Sequence, residues 1–161
     1  MESQPPCSSP EARQFDFWLG EWEVTWGEGQ RGSNHVQSIL DGCVILENFD
    51  GNPAMPFWGM SLSMYRPQEG QWRQTWVDNS GNYWDFIGGF ADGRMTLATQ
   101  ETQDGKPVWL RMVFYNIAAD ELDWNWEKSE DGGQTWTLLW HLHYTRRKGE
   151  RGDTKGSLLT H

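Results

Sequence analysis

Trp72, Gln74, Trp76 and Asp78 alternate along one candidate strand and so share a face. An amide and a carboxyl set between two indoles on an inward face are polar groups inside an aromatic cavity, and such groups need partners or a ligand. Glu47, Arg111 and Asp85 are candidate partners. In a ligand-binding reading, Trp26, Trp76, Trp126 and Trp140 provide flat walls and Gln74 orients the ligand. Asp78 or Glu47 is then the ionisable group, because a carboxyl buried among indoles has a raised pKa and can act as acid or base. In a structural reading, Gln74 is bonded to neighbours or water and Asp78 caps the Asn79-Ser80-Gly81 turn.

Two further groupings suggest chemistry. His141 and His143 alternate on a strand, a spacing that can chelate a metal. The next carboxylate after them, Glu150, is too far on to complete a cupin-like set. The opposite face (Trp140, Leu142, Tyr144) is the apolar one, so both imidazoles are expected to face solvent. An axial ligand to haem is the functional alternative for either histidine. The run Ser129-Glu130-Asp131-Gly132-Gly133-Gln134-Thr135-Trp136 fits the Asp-box pattern S-x-D-x-G-x-T-W. That pattern is a folding device, with Asp131 accepting turn N–H groups and Trp136 packing beneath the hairpin. One copy cannot make a propeller, whose blades repeat it. No Ser-His-Asp order, phosphate-cradling loop or nucleophilic cysteine motif is present.

The elements that must position these residues are strands. Turn signals recur at Glu28-Gly29, Asp41-Gly42, Glu69-Gly70, Asn79-Ser80-Gly81, Asp92-Gly93, Asp104-Gly105, Ala119-Asp120 and Asp131-Gly132-Gly133. Between them fit about ten strands, near 21–27, 33–40, 43–50, 56–66, 71–78, 82–90, 94–101, 107–117, 121–129 and 135–147. Trp22, Val24 and Trp26 share a face; so do Leu110, Met112 and Phe114, and Leu122, Trp124 and Trp126. The last strand groups Trp136, Leu138, Trp140, Leu142 and Tyr144. Short connections make sequence neighbours spatial neighbours. The expectation is an all-β, closed, antiparallel up-and-down barrel, with a two-sheet sandwich as the competing architecture. The stretch Glu11 to Leu19 is a short helix that can lie across one end. Gly88-Gly89 marks a bend inside a strand.

The 161 residues suit one domain, read as a tail over 1–12, a barrel over 13–147 and a polar tail over 148–161. A net charge of −10 argues against a nucleic-acid partner and an anionic membrane surface. No apolar run has the length of a membrane span. Met1 to Pro10 shows neither a basic nor an apolar leader region, and Cys7 and Cys43 form no recognisable framework, so a reduced, cytoplasmic protein is expected. Twelve tryptophans in a chain only 37% hydrophobic suit a thin-walled shell more than a dense helical core.

Gly20-Glu21-Trp22 resembles the first-strand motif of the lipocalin/calycin superfamily. The resemblance implies that Trp22 packs across the closed end of the barrel under an arginine from the last strand, with Arg146 the residue on the Tyr144 face. The longer run Phe15-Asp16-Phe17-Trp18-Leu19-Gly20-Glu21-Trp22 is more telling. With it go Leu40-Asp41-Gly42-Cys43, the run from Trp72 to Asn79, and Asp131 to Trp136. Together they resemble a family of uncharacterised bacterial lipocalin-like proteins over residues 15–147. A remoter resemblance is to nitrobindin, a ten-stranded haem-binding barrel whose glycine-rich opening motif is missing here. The resemblance implies a fold and no catalytic residues.

The expected function is binding of a small hydrophobic or aromatic molecule in a Trp-lined cavity. A small isomerase or cyclase acting in the same cavity is the alternative. A barrel filled by its own side chains, acting through its surface or as a homodimer, is the third reading. No cofactor is required by the first reading; haem and sugar are minor branches.

Overall fold

A computed structural model describes residues 5–147. Among the described residues ten strands, β1 (Gly20–Trp26), β2 (Gln30–Ile39), β3 (Val44–Asp50), β4 (Trp58–Arg66), β5 (Gln71–Asp78), β6 (Tyr83–Ala91), β7 (Arg94–Gln103), β8 (Lys106–Tyr115), β9 (Glu121–Ser129) and β10 (Thr137–Arg146), form the sheet. Each pairs antiparallel with the next, and β1 pairs with β10, giving the closed up-and-down barrel expected from sequence. Asp92-Gly93 and Asp104-Gly105 both adopt positive φ at two successive residues, which matches the twist of the hairpins they join.

The stretch Glu11 to Leu19 forms two 3-10 turns, Glu11–Arg13 and Asp16–Trp18, that close one end of the barrel. Phe15 stacks on Trp18 with centroids 4.8 Å apart and meets Phe114 edge-on at 5.0 Å. Trp22 donates its indole N–H to the Trp18 carbonyl at 2.8 Å. Phe15, Trp18, Trp22, Phe114 and Leu122 are all almost fully buried, so this half of the barrel is filled by its own side chains.

Cys7 and Cys43 are joined in a disulfide, which corrects the expectation of reduced thiols. The folded turn between β2 and β3 carries Cys43 to the plugged end, where Arg13 donates to the Gly42 carbonyl. Part of the stretch read as an N-terminal tail is therefore fastened to the barrel, and Ala12 is buried. The tail read over residues 148–161 lies outside the described residues. No helix among the described residues is long and apolar enough to cross a membrane.

Two strands depart from the expected faces. On β4 the serines point inward (Ser61, Ser63) while Met60 and Leu62 are about half exposed on the outside. On β10 a bulge between Leu138 and Trp140 shifts the register, so Leu138 pairs with outward-facing Glu127 and Trp140 with Trp126. Leu138 is accordingly exposed, and Trp136 lies before the strand rather than on its inner face. At Gly88 a Cβ would stand 1.8 Å from the Thr96 carbonyl oxygen, so β6 and β7 meet there in a way that only glycine permits.

Candidate functional site

The antiparallel alternation brings the ends of the odd-numbered strands and the starts of the even-numbered ones to the end opposite the plug. Trp26, Phe49, Trp76, Trp84, Trp126 and Trp140 all fall there. The five indoles are only partly buried, so this end meets solvent. Trp26 meets Trp140 edge-on at 5.3 Å, Trp140 meets Trp124 edge-on at 6.0 Å, and Trp124 stacks on Trp126 at 6.5 Å. Trp126 reaches Trp84 at 5.4 Å. These tilted and edge-to-face contacts hold the rings as a rigid wall.

Inside the wall lies a cavity of about 180 Å³. Ten of the fifteen residues around it are aromatic, Tyr144 included, and only Glu47 and Asp78 among them are charged side-chain types. Phe114 forms its floor above the plug. Trp76 owes its place to Gly59 on β4, because a Cβ at residue 59 would stand 2.1 Å from the Trp76 ring.

Glu47 sits at mid-strand between Ile45 and Phe49 and is 6% exposed. Ser61 donates to its Oε1 at 2.7 Å and Asn34 Nδ2 to its Oε2 at 2.7 Å. The same Asn34 amide donates to the Tyr144 hydroxyl at 2.9 Å. Burial pushes the Glu47 carboxyl up to about 7, against the opposing pull of the Ser61 and Asn34 hydrogen bonds. Burial, then the neighbouring Glu47 charge, raise Tyr144 above the ordinary phenol range. The Asn34 Oδ1 is buried with no hydrogen-bond partner.

Asp78 lines the cavity mouth in a different state. Its Oδ2 accepts from Trp76 Nε1 at 2.8 Å, and its Oδ1 accepts from the Ser80 and Asn82 backbone N–H groups at 2.9 and 3.2 Å. Asn82 Nδ2 adds a further bond at 3.0 Å. Burial raises its pKa, but these hydrogen bonds outweigh burial and hold the carboxyl below the usual range. Asp78 is thus a fixed, ionised turn cap that also aims an indole.

The remaining expected residues fall as follows. Gln74 is 2% exposed and donates to Ser63 at 2.9 Å, with its Oε1 unpartnered; it does not line the cavity. Trp26 braces Trp140 and does not line the cavity. Of the partners considered for Gln74 and Asp78, Asp85 bonds Thr75 and Arg111 bonds Glu127, both on outward faces. His141 and His143 are on the outer surface, where His143 Nδ1 lies 2.8 Å from Asp123 Oδ1 and His141 Nδ1 lies 2.8 Å from Asn125 Oδ1. Among the described residues no group of three or more potential ligands could hold a metal. Asp131 accepts from the Thr135 backbone N–H at 2.9 Å and from Ser129 Oγ at 2.8 Å, and the Thr135 bonds lead in pulling it down to about 2. Trp136 is held outside the barrel beneath Arg111, whose guanidinium lies 3.8 Å from its ring centre.

Sequence reasoning missed Asn34, Ser61 and Tyr144 as the shell around Glu47, and Trp84 and Trp124 as wall. A usable signal existed for Asn34. Trp22 pairs with both Asn34 and Arg146, so an inward Trp22 forces Asn34 inward. Comparison of the chain with known protein families and with curated proteins finds no match.

Proposed function

We propose that the protein binds a small apolar or aromatic molecule in the cavity at the open end of the barrel. The observation that carries this reading is a cavity walled by ten aromatic residues and holding one deeply buried carboxyl, Glu47. An enclosed apolar space of about 150 Å³ is enough to hold a benzene ring. The space here is of that order, so the ligand class is a single ring or a short chain. Haem does not suit it, with both histidines of β10 on the outside. The reading needs neither a nucleic acid nor a membrane partner.

The lipocalin-like family reading has support in the closed ten-strand barrel and in Arg146 lying over Trp22 beside the plug. The Cys7–Cys43 bond favours a non-reducing compartment over the cytoplasm that the sequence suggests. A barrel filled throughout by its own side chains, acting by its surface or as a homodimer, is less favoured because only the plugged half is filled.

A second reading, a small isomerase or cyclase, rests on Glu47 alone. A carboxyl poised near neutrality at the inner end of an aromatic cavity can take and return a proton. Asp78, saturated with hydrogen bonds, is no longer part of that reading.

Native mass spectrometry of the protein from its own host, followed by denaturing extraction, tests the binding reading. A reproducible small added mass, with tryptophan quenching on readdition of the extract, supports it. A clean mass and no uptake of benzene, indole or 2-phenylethanol overturns it.

A further inference from the structure

We infer that the cavity is built for a small organic cation, a one-ring aromatic amine whose ammonium group sits against Glu47. This rests on the ligand-binding reading above and adds the sign of the ligand's charge. Three observations converge on it.

The first is the make-up of the wall. Among the described residues no lysine, arginine or histidine lines the cavity, whereas two carboxyl side chains do. Indole faces attract cations through the ring quadrupole, most strongly where water is excluded. The second is the hydrogen-bond inventory at the inner end. Ser61 and Asn34 give one donor to each Glu47 oxygen, which leaves that carboxylate with further acceptor capacity. The Asn34 Oδ1 beside it is buried with no hydrogen-bond partner, while Nδ2 of the same amide faces Glu47 and Tyr144. An ammonium, which brings three donors and no acceptor, suits the acceptor capacity left on Glu47 and Asn34. The third is the approach. Asp78 stands ionised at the mouth, and a chain with a net charge of −10 draws cations toward it.

Occupancy by a cation also fixes the protonation of Glu47. An ammonium group beside the carboxyl favours its charged form, so below neutrality binding expels the Glu47 proton to solvent. The groups facing Glu47 are Tyr144 from β10, Asn34 from β2 and Ser61 from β4, of which only Tyr144 titrates. Asp78 is the other titratable group on the wall.

The test is calorimetric titration of the whole chain with three probes of one shape: 2-phenylethylammonium, 2-phenylethanol and phenylacetate. The amine is expected to bind at least about tenfold more tightly than the alcohol, with the acid weakest. Below neutrality the amine's heat is expected to vary with buffer ionisation enthalpy, reporting proton release, while the alcohol's does not. Glu47→Gln is expected to bring the amine down to the alcohol's affinity. Alcohol bound as tightly as amine overturns the inference and leaves the binding reading standing. Failure of all three probes overturns the inference, and together with a clean native mass it overturns the binding reading as well. If the variant does not fold, the wild-type ranking and the buffer dependence decide the question.

Discussion

The guanidinium of Arg146 lies 4.2 Å from the centre of the Trp22 ring and donates to the Leu19 carbonyl at 2.7 Å and the Ala119 carbonyl at 3.0 Å. One side chain from the end of β10 thus covers the first-strand indole, holds the plug and caps the turn before β9. Gly20 makes room for it, since a Cβ there would stand 2.3 Å from Arg146 Nη1. Arg146→Ala removes a cation–π contact and charge-assisted bonds to carbonyls, and is expected to lower stability by about 2–3 kcal/mol. Arg146→Lys should recover less than half, because an ammonium cannot match the planar fork. Urea unfolding followed by far-ultraviolet circular dichroism measures both.

Gly59 and Trp76 are a matched pair across β4 and β5. Gly59→Ala is expected to push the Trp76 ring into the cavity and weaken uptake of 2-phenylethanol by about tenfold or more, with a stability loss of about 1–2 kcal/mol. Fluorescence titration reads the first effect and urea unfolding the second. Unchanged uptake means that Trp76 does not bound the ligand's space.

Glu47 gives the fold a pH dependence of definite sign. Its carboxyl rises from an ordinary 4.5 to about 7 in the folded state, so between those values the folded chain binds more protons than the unfolded one. Stability from keeping Glu47 protonated is fully present below the lower value and is lost as pH climbs through the upper one. The loss amounts to about 3 kcal/mol. The urea midpoint of the ligand-free protein is expected to fall across that interval, and Glu47→Gln should flatten the fall. A midpoint independent of pH in the wild-type chain excludes a perturbed Glu47.

How far the architecture could be read from residues depends on where polarity tracks the inside. Along β1 and β9 the large apolar residues face inward, as do Leu110, Met112 and Phe114 on β8, so Trp22, Leu110 and Leu122 announced both strand and face. On β4 the rule inverts. Ser61 and Ser63 occupy inner positions because Glu47 and Gln74 need donors and acceptors there, and the exposed Met60 and Leu62 mislead any argument from alternation. On β10 a single extra residue moves Leu138 outside, and spacing alone does not reveal a bulge. Glu47 was legible as an ionisable candidate, but its shell was not, since Asn34, Ser61 and Tyr144 come from three strands whose register must be known together. The disulfide was hidden for the same reason, Cys7 lying in a stretch without periodicity.

The Cys7–Cys43 bond closes a span of 36 positions around the plug. Thiol titration of the denatured protein is expected to find the pair silent until reductant is added. Reduction, or Cys7→Ser, should cost about 2–4 kcal/mol and leave the barrel folded. Free thiols in protein purified without reductant would contradict this linkage.

The β1–β10 pairing has a consequence for how the chain reaches its fold. Among the described strands every other pairing is a hairpin between sequence neighbours, formed at small loop-closure cost. Among the described strands only the seam at Trp22 and Arg146 joins the first strand to the last. A meander of nine hairpins can therefore zip locally and rapidly, while closure waits on one distant encounter, the slow kind in folding kinetics. Because the seam lays the ends of the sheet side by side, the same ring could be opened at a different hairpin and sealed by a short linker, yielding a circular permutant whose new termini fall at the former turn.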